Sequence, residues 1–309
     1  RMKPVLVTGG NRTGTSWVGK MLCLSRELFL VWEPFNCMFP AMFSKHPLKR
    51  HYRKLLPEED SAMKSYVKKK TFSEILNHSE GGKTAADKIR KLGAVLAKTA
   101  GYISGTRAPL YKDPTALMSA EWFEQQFQSR VVLTVRHPGA YVHSIRRLNW
   151  PMHVEEFANQ PWLMETLPEA IQNEVRERIA SRERPKGYVL EDAALCWKVF
   201  HQVIHQYTEN HPEWLVAKHE DLSVDYISGF RYLYNSLGLS WTPEVETKIN
   251  YFCNPNNNIV QGDVYHEFKQ DSASLARLWK NNLTAAEKDT IRRITEPVSS
   301  LFYSDDSWN

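Results

Sequence analysis

The sequence has no apolar run long enough to cross a membrane or to form the hydrophobic centre of a secretory leader. Cysteine is scarce, four in 309 residues, and Cys23, Cys37, Cys196 and Cys253 lack the paired spacing of a metal site. Three of them lie among apolar neighbours, so buried, reduced thiols are expected rather than a disulfide framework. Repeats and low-complexity tracts are absent. No sign of charge dominates either: 40 lysines and arginines against 35 acids leave a net +5, compatible with acidic ligands but too little to argue for nucleic acid. A 42% apolar and 24% charged chain of this length fits one large globular domain spanning 1–309. Arg1 ahead of Met2 reads as an addition to the natural start. A first strand so close to Met2 leaves no room for a leader or anchor, and a soluble, cytoplasmic protein is expected.

The most informative stretch runs from Val5 to Trp17. Four β-favouring residues lead into Gly9-Gly10, and Trp17, Val18, Met21 and Leu22 follow at helical spacing. Strand, tight loop and helix are expected, with loop N–H groups and the positive end of the helix aimed at one anion. Gly9 and Gly14 have P-loop spacing, but the P-loop lysine is missing: Thr15 holds its place, followed by Ser16. The cation has moved into the loop as Arg12, and the usual grip on β- and γ-phosphates is lost. Asn11-Arg12-Thr13 matches a glycosylation sequon, but a glycan there would block the loop, so that reading is set aside.

Three later stretches place charged groups at strand ends. Leu28–Trp32 is a short apolar run followed by Glu33-Pro34, which stands a carboxylate at the same sheet edge as the anion loop. Leu110-Tyr111-Lys112-Asp113-Pro114 delivers Lys112 to a strand's carboxyl end, with Asp113 as helix N-cap and proline at the first helical position. Val131–Val135 reads as a buried parallel strand. Where a P-loop ATPase would end such a strand in a magnesium-binding aspartate, this one ends in Arg136. Pro138 then opens a helix that carries Ser144 about two turns in.

Between these stretches two helical, charged segments, at about 42–107 and 150–187, interrupt the alternation of strands and helices. The first is rich in lysine and arginine, with turns expected at Gly81-Gly82 and from Gly101 to Gly105; it reads as a solvated face or as a basic wall for an anionic acceptor. A long helix is expected over about Val189–Tyr207 and a strand over Trp214–Ala217. Ser223, Thr242-Pro243 and the Thr284/Glu287 capping box mark further helix starts.

Taken together, the Gly9–Trp17 loop, Glu33 after its short strand and the Arg136–Ser144 stretch resemble the PAPS-dependent sulfotransferases, PAPS being 3′-phosphoadenosine 5′-phosphosulfate. The resemblance implies a P-loop-like three-layer α/β fold, a central and mainly parallel sheet flanked by helices. It also implies that Arg12, Thr13, Gly14, Thr15, Ser16 and Trp17 embrace the 5′-phosphosulfate. Arg136 and Ser144, eight positions apart, match the pair that clamps the 3′-phosphate in that family. Where the family often carries tyrosine-glutamate-aspartate-leucine, this chain has His219-Glu220-Asp221-Leu222, and Ser272 with Trp279-Lys280 matches the closing pattern loosely. Glu33-Pro34 resembles the carbohydrate group, and Lys112-Asp113-Pro114 is similar to a triplet of the tyrosylprotein group.

The roles that follow are Glu33 as general base, with Arg12 and Lys112 as cations that stabilise the sulfuryl group and the leaving phosphate. The acceptor implied is a hydroxyl on a glycan, glycolipid or similar molecule; no metal is implied, because protein cations offset the donor's charge. Two other readings stay open at this level. A degenerate P-loop kinase or NTPase would turn over ATP with magnesium, and a non-catalytic anion binder would hold 3′,5′-ADP without transferring anything.

Overall fold

The computed structural model describes residues 1–38, 45–76, 84–257 and 271–309. Five strands, β1 (Val5–Gly9), β2 (Leu28–Trp32), β3 (Ala108–Lys112), β4 (Arg130–Val135) and β5 (Leu215–Lys218), form one sheet in the order β2-β3-β1-β4-β5. Every pairing is parallel, with Val7 in register with Lys112 on one side and Val132 on the other. The expected α/β class is observed. All five carboxyl ends therefore point to one edge, where a crevice opens beside the central strand.

Helix α1 (Thr15–Leu22) follows β1, α2 (Asp60–Leu76) and α3 (Ala85–Ser104) lie between β2 and β3, and α4 (Ala120–Phe127) precedes β4. Between β4 and β5 come α5 (Pro138–Arg147), α6 (Glu155–Ala158), α7 (Pro161–Met164), α8 (Glu169–Ala180) and the long α9 (Leu190–Asn210). The chain closes with α10 (His219–Val224), α11 (Tyr226–Leu237), α12 (Pro243–Cys253), α13 (Ser272–Asn282) and α14 (Ala285–Thr295). Among the described residues no helix is long and apolar enough to cross a membrane.

Strands β1 and β3 are buried throughout, which is why they read as almost unbroken apolar runs. Their period of two sorts side chains between two cores. Leu6, Tyr111, Val131 and Leu133 pack with Phe123, Tyr141 and Phe200 on one face of the sheet. Val5, Val7, Leu110 and Val132 pack with Val18, Phe230 and Ile249 on the other. All four cysteines are free.

Two local expectations are corrected. Ser223 does not cap a helix start: it lies inside α10 and donates its hydroxyl to the His219 carbonyl one turn back. Asp225 caps the next helix instead, accepting from Ser228 N. A serine can bond back along a helix as readily as it can cap one, so its presence alone did not fix the boundary. Likewise Gly101 is not a turn; α3 continues through it and ends at Gly105, which takes the left-handed φ of +76°. Gly101 leaves room for Arg107, whose Cδ lies 2.7 Å from where a Cβ would be. The Gly81-Gly82 pair lies outside the described residues, as do Lys269 and Gln270.

Candidate active site

The loop after β1 takes its shape from its own residues. Thr13 donates its hydroxyl to the Gly10 carbonyl at 2.6 Å and meets the Thr134 hydroxyl at 2.7 Å, so this side chain braces the loop from beneath. Arg12 sits at φ +64° and Gly14 at φ +105°. A Cβ on Gly14 would lie 2.9 Å from the His219 ring, so both the backbone angle and the space call for glycine there. The first α-helical bond of α1 is Val18 N to Gly14 O, at 3.0 Å. The N–H groups of the first turn thus have no intrahelical acceptor and face the crevice with the helix's positive end.

Above this loop the structure brings Arg12, Arg136 and Ser144 together. Arg12 Nε donates to Ser144 Oγ at 3.0 Å, across 132 positions of sequence. Its guanidinium also lies over the Trp150 ring, 5.9 Å from the centroid. Arg136 Nη1 donates to the Arg12 carbonyl at 2.8 Å, while the Arg136 carbonyl accepts from Trp197 Nε1 at 2.8 Å. Arg136 Nε is buried and has no hydrogen-bond partner among the described residues. Burial pushes this guanidinium down to about 10; Glu220 opposes the shift and Arg12 adds to it. A cation held in that way gains from an anion beside it.

On the other side of the loop lies a carboxylate–ammonium pair. β2 and β3 are neighbours in register, Trp32 opposite Lys112, so Glu33 and Lys112 arrive together. Lys112 Nζ donates to Glu33 Oε1, and Asn36 Nδ2 donates to Oε2 at 2.6 Å. Lys112 is buried and its ammonium lies 3.6 Å from the Trp32 ring centroid. Burial lowers the Lys112 pKa, and the Glu33 charge works against that shift.

The turn that presents Glu33 is held from below by Asp113. Glu33 stands at φ +42°, a left-handed angle for a residue with a side chain, and its N–H donates to the Lys112 carbonyl at 3.0 Å. Asp113 Oδ2 accepts from Phe35 N, and Oδ1 from Thr115 N, the Thr115 hydroxyl and Ala116 N. Burial, then the Glu33 charge, raise Asp113 to about 7, against the pull of these donors. Phe35 anchors the turn against Trp122 and Phe123, at centroid distances of 5.6 and 5.2 Å.

Both groups open on one cavity of about 730 Å³. Of the residues singled out from sequence, Arg12, Gly14, Thr15, Ser16, Trp17, Glu33, Lys112, Arg136, Ser144 and Ser272 line it. Thr13 lies beneath it. The Ser272 hydroxyl is engaged with the Ser223 and Cys253 carbonyls, at 3.1 and 3.2 Å. Trp279 is a core residue: it stacks on His137 and closes over Gly139, whose Cβ would lie 2.5 Å from its ring. His219 packs its ring against Trp17, 5.1 Å between centroids.

Several lining residues were not picked out from sequence, among them Trp32, Asn36, His143 and Trp150. Asn36 follows Glu33 by three, a spacing that could have flagged it. Trp150 had no such signal, because it reaches the cavity only through the turn after α5. His143 is buried beside arginines and is pushed down to about 4, by burial first and then by Arg146 and Arg136. It meets the site as a neutral ring.

No family model matches the sequence, and no curated protein matches it either. Solved structures do. A sulfotransferase domain from the olefin synthase of Synechococcus PCC 7002 is 16% identical, covering 98% of this chain and 96% of that one, with a TM-score of 0.49. A mouse sulfotransferase complexed with PAP is 11% identical over 95% of this chain and 83% of that one, with a TM-score of 0.41. A sulfotransferase domain from the curacin biosynthetic pathway is 17% identical, covers 98% of both chains and gives a TM-score of 0.51. Over nearly its whole length, then, the chain has the α/β fold of a sulfotransferase domain.

Proposed function

We propose that this protein is a PAPS-dependent sulfotransferase that moves a sulfuryl group to an acceptor hydroxyl. The observation that carries the reading is one cavity that holds both a lysine-free anion loop clustered with Arg12, Arg136 and Ser144, and the Glu33–Lys112 pair. The residues fit the donor. Arg136 and Ser144 would hold its 3′-phosphate, the partnerless Nε of Arg136 being a donor in want of an acceptor. Arg12, the α1 N-terminus and the Thr15 and Ser16 side chains would hold the 5′-phosphosulfate.

PAPS supplies an activated sulfuryl group, whose S–O bond to the 5′-phosphate breaks as the acceptor oxygen bonds to sulfur, with 3′,5′-ADP leaving. Glu33 takes the acceptor's hydroxyl proton. Its carboxylate has lone pairs to spare beyond those engaged by Lys112 and Asn36. Lys112 and Arg12 place fixed positive charge where negative charge builds on the sulfuryl and bridging oxygens.

The acceptor we favour is a sugar hydroxyl on a glycan or glycolipid. In support, the remaining wall of the cavity is lined by Lys49, Arg50 and Arg184, beside the Trp32 and Trp150 rings that carry Lys112 and Arg12. A wall lined by cations suits an anionic saccharide better than a bare phenol.

Incubation with sulfur-labelled PAPS and a panel of polysaccharides, glycolipids, phenols and tyrosine peptides tests the proposal, read as a mass gain of one sulfate. Transfer to a saccharide supports it in full. Transfer to a phenol or peptide alone removes the acceptor reading. Binding of 3′,5′-ADP without transfer to any acceptor, or magnesium-dependent ATP turnover, overturns the sulfotransferase reading.

A further inference from the structure

The turn between α9 and β5 sets two ligand-type side chains close together. In His211-Pro212-Glu213-Trp214 the Trp214 N–H donates to the His211 carbonyl at 3.0 Å, a four-residue turn with proline at its second position. His211 is also tied back to α9, its N–H donating to the Tyr207 carbonyl at 2.8 Å. Facing the turn is α4, where Glu121 and Glu124 are three residues apart and share one face. The two stretches meet where His211 Nε2 lies 2.9 Å from Glu121 Oε1, across 90 positions of sequence.

That contact fixes the imidazole. A carboxylate only accepts, so Nε2 carries the hydrogen and Nδ1 is left for the opposite side. There Glu213 Oε1 lies 3.4 Å from Nδ1 and Glu124 Oε2 3.9 Å from it. Both spacings exceed the about 2.7–3.2 Å of a good N–H···O bond. Trp214 holds the remaining freedom. Its ring stacks on the imidazole, 4.2 Å between centroids and 11° between planes. Its Nε1 donates to Glu124 Oε1 at 2.9 Å, which turns Oε2 towards Nδ1. Nδ1, Glu124 Oε2 and Glu213 Oε1 thus converge within 4.8 Å of one another, two of the three oriented by a neighbour that is not itself a ligand.

Charge and spacing both suit a metal cation at that point. Glu121, Glu124 and Glu213 are ion-paired with no lysine or arginine among the described residues; the histidine is their shared partner. Tetrahedral bonds of about 2.1 Å put neighbouring ligand atoms about 3.4 Å apart, which is the Nδ1–Glu213 spacing. Glu124 is about half an ångström farther, within the swing of a carboxylate. One imidazole with two carboxylates suits zinc, and a carboxylate on the far ring nitrogen is what orients a metal-bound histidine.

We infer that Glu124, His211 and Glu213 form a zinc site, with Glu121 orienting His211 and water completing the coordination. Helix α4 leads into β4 and Trp214 into β5, so the site lies at the amino ends of these strands, away from the cavity, and none of its residues lines that cavity. Its role is structural: the ion ties α4 to the α9–β5 turn, whatever reaction the cavity performs.

Calorimetric titration of the chelator-treated full chain with zinc chloride tests this, alongside thermal unfolding with and without the metal. One zinc per chain is expected, with a rise in Tm of several degrees at saturation. His211→Ala should abolish both effects. So should Glu213→Ala, which removes a ligand at an exposed position and leaves the core untouched. Glu121→Ala should weaken binding about 10- to 100-fold, the cost of losing an orienting partner. No zinc bound, a Tm indifferent to zinc, or zinc held equally well by His211→Ala and Glu213→Ala overturns the inference; the last outcome would assign the metal to other histidines of the chain.

Discussion

Both oxygens of the Glu33 carboxylate are held, one by Lys112 and one by Asn36, in a turn fastened to Asp113. The substitution Glu33→Gln keeps the shape and removes the proton acceptor. It should lower kcat at least about 100-fold while leaving 3′,5′-ADP affinity nearly unchanged, as read by single-turnover kinetics alongside calorimetry. Unaltered turnover would remove Glu33 from the mechanism. Arg136 makes a different demand. Arg136→Ala should weaken 3′,5′-ADP on the order of 10- to 100-fold, the worth of a charge-assisted contact, and scarcely affect 5′-AMP. Equal weakening of both nucleotides would contradict a 3′-phosphate clamp. These two residues were legible in the sequence because each ends a short apolar run. Asn36 and Trp150 were not, since nothing local marks a side chain that reaches the cavity by tertiary packing.

The element that matters most is the β1–α1 loop. Its glycines were visible as a spacing, and the structure gives each a reason: Gly9 has no room for a Cβ against Thr134, and Gly14 none against His219. Gly14→Ala adds a methyl group at φ +105°. It should cost roughly 2 kcal/mol of stability and lower Tm by a few degrees. Donor affinity should fall with it, because the loop would have to shift away from His219; thermal unfolding with and without 3′,5′-ADP measures both. An alanine variant with unchanged Tm and affinity would show that the loop tolerates a side chain. At this scale the parallel strands and capped helices were readable from periodicity, whereas Ser223 and Gly101 misled, because each residue type serves two local structures.

Across the whole molecule, burial of histidine sets a dependence on pH. His137 and His201 are pushed down to about 3 and His143 to about 4, with His219 also well below its ordinary value, burial being the first cause in each. Unfolding near pH 5 lets all four take up protons, while Asp113, raised to about 7 in the fold, gives one up. From these five groups unfolding thus takes up protons on balance, and their contribution to stability falls as pH drops below about 6.5. Urea unfolding at a series of pH values checks this; a flat profile between pH 5 and 7 would contradict it.

The sequence by itself determined the chemistry available at each strand end: a loop that wants an anion, a carboxylate, a lysine, an arginine with a serine two turns on. Those are short-range facts, written in runs of a dozen residues. Only the tertiary structure decided that they meet. Parallel pairing of β2 with β3 sets Glu33 on Lys112, and parallel pairing of β1 with β4 brings Arg12 to Ser144 across 132 positions. It also decided that Glu121 and Glu124 meet His211, since helical spacing puts two carboxylates on one face but does not name what stands opposite.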